Sequence, residues 1–438
     1  ADIQTMDNLT RRMHKPDKRG AVIRGDHLRY RGASPQIRSV PAWDPDQKVY
    51  KLWVLGVAIA PPDITVQGSF SGYYESKDGL NWTLPVLGQV DIGDNKQNNF
   101  VTARLSGDYV GTDCVVYDPT DPDPNRRYKL AVPDIWHPHT SFIGQEQGGK
   151  CMGGFAVSPD GIHWTETSSP GLPSSDEWNL SFDEKEKLFI HYVKHPGHEL
   201  KRPISGKLFK GRAIHVSTSK DFRNWTPYKL AFSADQEDQQ ICLERIEERF
   251  ADKTRKFPEF NVPETYRAEV YHMSIFRYES RYIGMPAYSY HTGSVSKDWP
   301  GFDKLHLSPE IKDATSKYGD YTWFYEVQLC SSRDLVNWDR LGNREPFIPA
   351  STINSGAYDL LTLISPAGAV VRGDEMWFYY TGVQHYAFVA AGRRPGYDDF
   401  NTDVGGICLA VMRRDGYISL DAGEQAGTIQ TEPFKLSG

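Results

Sequence analysis

Four seven-residue stretches of this chain share one pattern: SKDGLNW (Ser76–Trp82), SPDGIHW (Ser158–Trp164), SKDFRNW (Ser219–Trp225) and SRDLVNW (Ser332–Trp338). The order is always Ser, Asp two residues later, and Trp four after that. A worn fifth copy follows Arg413 and Arg414 as Asp415, Gly416 and Tyr417. A recurring unit constrains the fold more than any single motif, because each unit must bury its apolar face against the next. Ser and Asp side chains bond nearby backbone amides and Gly accepts positive φ, so each box reads as a hairpin tip. The Trp then opens the outgoing strand and packs between neighbouring units.

Upstream of each box lies a second hairpin with an aromatic-rich outgoing strand: Tyr50–Leu55, Tyr128–Val132, Leu188–Val193, Tyr282–Pro286 and Met376–Gly382. Two hairpins make a four-stranded antiparallel blade, and five units make a propeller. The fold expected is all-β, a five-bladed β-propeller. The intervals between Asp78, Asp160, Asp221, Asp334 and Asp415 are 82, 61, 113 and 81 residues, so long loops interrupt the blades. The longest interval holds a charged, proline-free run, Asp238–Lys253, which predicts a helical insertion between blades 3 and 4. Residues 1–30 are expected to precede the first blade, with a short helix from Met6 to Met13. Residues 31–425 form the propeller and 426–438 a tail packing on it. One terminus is expected to supply a closing strand, which removes an exposed edge.

Net charge is −7 with Lys and Arg scattered, so no basic stripe marks a nucleic-acid partner. No apolar run reaches membrane-spanning length. Five dispersed cysteines are too few for a disulfide framework, and Cys114, Cys330 and Cys408 read as buried small hydrophobes. The chain starts at Ala1 without a signal peptide, which fits a mature secreted or periplasmic form and also a cytoplasmic one. The pattern is compatible with a homo-oligomer.

The innermost strand of each blade lines the central channel. Residues shortly before its first turn sit at the channel mouth. Blade 1 places Gln36 and Arg38 there, blade 2 Asp113, blade 3 Asp176 and Glu177, blade 4 Glu269, and blade 5 Ser365 with Tyr358 and Asp359 upstream. Three consecutive blades thus carry a carboxylate at a matching inward position. Close carboxylates drive one another's pKa values apart, so one can stay protonated while another stays ionised. Glycoside hydrolysis needs that division: one carboxyl protonates the leaving oxygen, another attacks or activates water. The competing reading of each acid is structural, as a partner of backbone amides or of an arginine.

With these features the chain resembles the five-bladed β-propeller glycoside hydrolases, the family 43 arabinanase and xylosidase-like group and the family 32 invertase and fructosidase-like group. The resemblance implies Asp113 as base or nucleophile, Asp176 as the residue that tunes it, and Glu269 as general acid. Two departures stand out: blade 1 has no inward acid, and the invertase hallmark sequences are absent. Substrate contacts are expected from Gln36, Arg38, Glu177, Trp178, Asn179, Tyr271, His272, His291, Trp323 and His385, with Tyr288 a further candidate. Arg38 with Arg31 suits an acidic sugar, or alternatively a salt bridge to an inward acid. No cofactor is expected. A structural cation in the channel is compatible with the pattern, although the ligand-rich loop Asp118–Asn125 lacks the Gly and Glu of a calcium loop. The leading expectation is an exo-acting glycosidase on a plant or algal oligosaccharide. A phosphorylase on the same fold and a non-catalytic sugar-binding propeller are the alternatives.

Overall fold

The structure is a computed structural model that describes residues 3–24, 35–55, 70–93, 95–112, 114–132, 134–135, 153–175, 177–258, 260–296, 298–301, 320–384 and 405–434. It is a five-bladed β-propeller of antiparallel blades. The inner strands are Gln36–Ile37 with Ala42–Asp44, Val115–Tyr117, Trp178–Asp183, Arg267–Tyr278, and Thr362–Ile364 with Val370–Arg372. Each is followed outward by the aromatic-rich strand and then by the strand that feeds the box turn.

Closure comes from the N-terminus. The strand Asp17–Arg24 pairs with Gly405–Arg413 as the outer strand of blade 5. Lys18 reinforces it through an ion pair with the buried Asp359 at 2.6 Å. Asp359 also accepts from the Tyr380 hydroxyl at 2.9 Å, so this blade 5 acid serves closure. Ahead of that strand the expected short helix is absent. Residues Ile3–Asp7 pair with Thr428–Thr431, and Leu9–Met13 with Ile418–Ala422. Asn8, at φ 51°, breaks the run. The partner strands lie more than 400 residues away, so local periodicity carries no trace of them.

The box turns fold alike in blades 1 to 4. In the first, Asp78 Oδ1 accepts from the amides of Leu80 and Asn81, both at 2.8 Å, while Ser76 Oγ accepts from the Gly79 amide at 2.9 Å. Asp160, Asp221 and Asp334 repeat the bonds to their own following amides. Each box Trp leans on the preceding blade: Trp82 meets Tyr379 edge-on at 6.1 Å and Trp225 stacks on Phe155 at 4.9 Å. The preceding blade answers with polar clasps. The Trp53 indole donates to Gly161 O at 2.8 Å, and the Tyr379 hydroxyl to Gly79 O at 2.8 Å. A Cβ on Gly161 would lie 2.3 Å from Trp53 Cζ2, so the turn needs glycine for space as well as for its φ of +80°. The second hairpins add similar ties, with Tyr128 bonded to Asp44 and Tyr282 to Asp183 across blade boundaries.

The apolar core is accordingly a ring of clusters between blades. One joins blades 5 and 1 (Ile37, Leu52, Tyr379, Ile407), one joins 1 and 2, one joins 2 and 3, and the largest joins 3, 4 and 5. The helix Gln236–Ala251 lies between blades 3 and 4, as its composition predicts. Asp235 caps it, and Asp238 ties it to Tyr288 and Arg340. Tyr288 therefore belongs to the helix seat and not to the channel.

Candidate active site

The inner strands of blades 1, 3, 4 and 5 converge on a buried polar knot at the channel mouth. Arg38 of blade 1, 3% exposed, reaches across to Glu177 at the start of the blade 3 strand. Its fork bonds both carboxylate oxygens, Nε to Oε2 at 2.6 Å and Nη2 to Oε1 at 2.7 Å. Gln36 accepts from the same guanidinium at 3.0 Å. From blade 4 the Tyr271 hydroxyl donates to Glu177 Oε1 at 2.7 Å. Lys194, fully buried on the second strand of blade 3, sits 4.0 Å from the Tyr271 ring centre. Burial alone would raise the Glu177 pKa. The charges of Arg38 and Lys194 outweigh it and hold the carboxyl well below its usual range.

His272 completes the knot. Its Nδ1 lies 2.8 Å from Ser365 Oγ of blade 5, and its Nε2 3.4 Å from Asn179 Nδ2 of blade 3. Burial first, and the Arg38 charge second, push its pKa down to about 3, so the ring is neutral.

A second group lies at the mouth between blades 3 and 4, around Glu269. Arg212, from the third strand of blade 3, donates to Oε2 through Nε at 2.9 Å and through its backbone amide at 3.2 Å. Arg267, one side chain earlier on the same face as Glu269, donates to Oε1 at 2.5 Å. His291 Nε2 stands 3.4 Å from Oε1. Burial works against the charge, but Arg212 and Arg267 override it, and Glu269 sits well below the carboxylate range. The rings of Trp323 and His291 are 5.1 Å apart beside it. Arg212 joins the two groups, with its guanidinium 4.9 Å from the Tyr271 ring and 5.9 Å from that of Trp323.

The structure thus gathers Gln36, Arg38, Glu177, Asn179, Tyr271 and His272 into one knot, and Glu269, His291 and Trp323 into an adjoining one. Trp178 stands apart: its ring packs in the cluster between blades 2 and 3, and only its carbonyl faces the knot. Arg38 makes the salt bridge to an inward acid. Asp113, Asp176, His385 and Arg31 lie outside the described residues. Glu269, assigned by resemblance the part of proton donor, is ionised in this geometry. Lys194, Arg212 and Arg267 were not among the expected site residues. The available signal was a basic residue closing an otherwise apolar strand, as Lys194 does after Leu188–Val193. Beside the Asp118–Asn125 loop, Lys129 lies 3.4 Å from Asp118 and 2.8 Å from Asp121.

No family model and no curated protein matches the chain. Among solved structures it is similar to the RGII complex of BT0996, at 13% identity and a TM-score of 0.44, covering 92% of this protein and 94% of that one. It is similar also to the Penicillium chrysogenum α-L-arabinanase complexed with arabinobiose, at 11% identity and a TM-score of 0.39 over 89% and 98% of the two proteins. A third similarity is to the Bombyx mori GH32 β-fructofuranosidase BmSUC1, at 9% identity and a TM-score of 0.41 over 90% and 62%.

Proposed function

We propose that this protein is a glycoside hydrolase that cleaves a plant or algal oligosaccharide from one end, with its reaction centre at the mouth of the channel. The observation that carries the reading is Glu269: a buried, ionised carboxylate held by two arginines beside the ring of Trp323. A fixed, ionised carboxylate of this kind attacks the anomeric carbon of a glycoside or activates water at it. Its ionised state suits the base or nucleophile better than the acid. We therefore reverse the roles implied by the family resemblance, and propose as proton donor one of the other two acids that the resemblance names, Asp113 or Asp176. Arg212, which bonds Glu269 and lies over the Tyr271 ring, holds the carboxylate in place.

The test is a screen of aryl glycosides and plant and algal oligosaccharides on the full chain, with and without phosphate. On the best substrate, Glu269→Gln and Asp113→Asn are each expected to lower turnover by about 10²–10⁴-fold, the range of a single acid–base group. The pH profile separates the roles. Loss of the acid limb in Glu269→Gln marks Glu269 as the group that must be ionised, and loss of the alkaline limb marks it as the proton donor. A wild-type protein that binds sugar without turnover is instead a binding propeller.

A further inference from the structure

We infer that the channel mouth carries an oxyanion-binding subsite centred on Arg202 and Arg267, so that the substrate presents a carboxylate or phosphate next to Glu269. The inference rests on the glycosidase reading for the identity of the site, and on a separate charge count for the subsite. The central hairpin of blade 3 is long, Leu188–Lys201 running into Leu208–Ser219, and its tip carries Arg202 toward the mouth. Both oxygens of Glu269 are already engaged, Oε2 by Arg212 and Oε1 by Arg267. Arg202 is a further cation beside them. Burial first, and the neighbouring Arg267 second, disfavour its charge, and Glu269 is the acidic group that offsets them.

Arg202 has no carboxylate within ion-pairing distance among the described residues. Its Nε is buried without a hydrogen-bond partner, and its guanidinium lies 6.0 Å from the Phe209 ring centre. His291 repeats the shortage. Its Nε2 lies between Arg212 Nη2 at 3.3 Å and Glu269 Oε1 at 3.4 Å, and burial keeps the ring neutral. Its Nδ1 is buried and also lacks a partner. A buried donor without an acceptor is costly, and an oxyanion with several lone pairs can accept from Arg202 Nε and from a neighbouring guanidinium at once. Arg267 and Arg212 keep 18% and 24% of their side chains exposed, so the cationic edge is open to solvent.

The experiment is calorimetric titration of the full chain with glucuronate and galacturonate disaccharides, each against its neutral parent, and with inorganic phosphate. Wild type is expected to bind an oxyanion probe at least about tenfold more tightly than the matched neutral sugar, the usual contribution of one charge-assisted bond. Arg202→Gln removes that preference and leaves the neutral sugar unchanged, while Arg202→Lys keeps part of it. Thermal melts of both variants check that they fold. Uronate preference with phosphate-independent release of the acidic sugar assigns the oxyanion to the substrate. Turnover that requires phosphate assigns it to the co-substrate. Equal binding of all probes, or an Arg202→Gln protein that keeps the wild-type preference, overturns the subsite. The two readings fail separately: hydrolysis of a neutral sugar lost in Glu269→Gln but indifferent to Arg202 leaves the glycosidase standing without the subsite. Tight uronate binding without turnover leaves the subsite without the glycosidase.

Discussion

At the face of the propeller that carries the box turns, Asp78 closes its turn on amides two and three residues away. At the channel mouth, Glu177 is closed by an arginine 139 residues distant in sequence. Both carboxyls are held ionised, by different means. Asp78 owes its low pKa chiefly to the backbone amide of Asn81, in a turn that is mostly solvated. Glu177 keeps only 12% of its side chain exposed and depends on charges brought from other strands. The box is a local solution that each blade repeats unaided. The mouth is a collective one that exists only once four blades have closed around it, so damage there should spread further than damage in a box.

The largest expected effect is at the mouth. Arg38→Ala leaves Glu177 buried without its fork, and urea denaturation should show a loss of about 3–5 kcal/mol, the usual consequence of breaking a buried pair from one side. Replacing both partners by apolar residues should recover most of it. A loss below about 1 kcal/mol in the single variant would collapse the contrast between the two faces.

Next comes a box glycine. Gly161→Ala meets Trp53 at 2.3 Å and a φ of +80°, and should cost about 2–3 kcal/mol through strain and overpacking. Gly20→Ala has a similar φ of +83° but nothing within 4 Å, and should cost only about 1 kcal/mol. Equal losses would show that Trp53 yields, and that the boxes are less firmly clasped by neighbouring blades than the contacts indicate.

The pH dependence separates the faces again. His272 is neutral when folded, its pKa pushed down by burial to about 3 from 6.5. Below pH 6.5 the unfolded chain binds a proton that the folded one does not, so stability falls with pH down to about 3. His272→Gln should remove up to about 1.4 kcal/mol per pH unit from that slope. The box acids act later and more weakly. The Asn337 amide, then its side chain, lower Asp334 to about 2, so its contribution is intact above about pH 3.8 and is lost as pH falls toward 2. Because this turn is exposed, Asp334→Asn should cost less than about 1 kcal/mol at neutral pH. Chemical denaturation from about pH 7 to about 2.5 distinguishes a loss beginning near pH 6.5 from one beginning near about 4.

What was legible in the chain follows the same division. The five blades, the box turns, the lean of each Trp onto its neighbour and the insertion helix all express short-range chemistry: turn residues at fixed offsets, alternating strands, and a capped charged run. Counting back from each turn chose Gln36, Arg38, Glu177 and Glu269 as channel residues, with Tyr271 and His272 expected beside the acids, and the structure groups these six in the two adjoining clusters. Counting back has no view of the second and third strands of a blade, so Lys194 and Arg212 escaped it. Proximity to an acid in sequence did not orient the Trp178 ring either, since a side chain at the start of an inner strand can turn toward the neighbouring blade as readily as toward the axis. The N-terminal ribbon failed for a related reason, its partners being at the other end of the chain.

The sequence by itself determined the repeat, and through it the number of blades and the ends of the inner strands, because every bond in a box lies within a few residues. Only the tertiary structure decided which terminus closes the ring and which arginine meets which acid. It alone decided that Glu269 stands ionised, because its pKa is set by the balance between burial and the charges of Arg212 and Arg267. That balance depends on distances between strands of different blades, which no local pattern encodes.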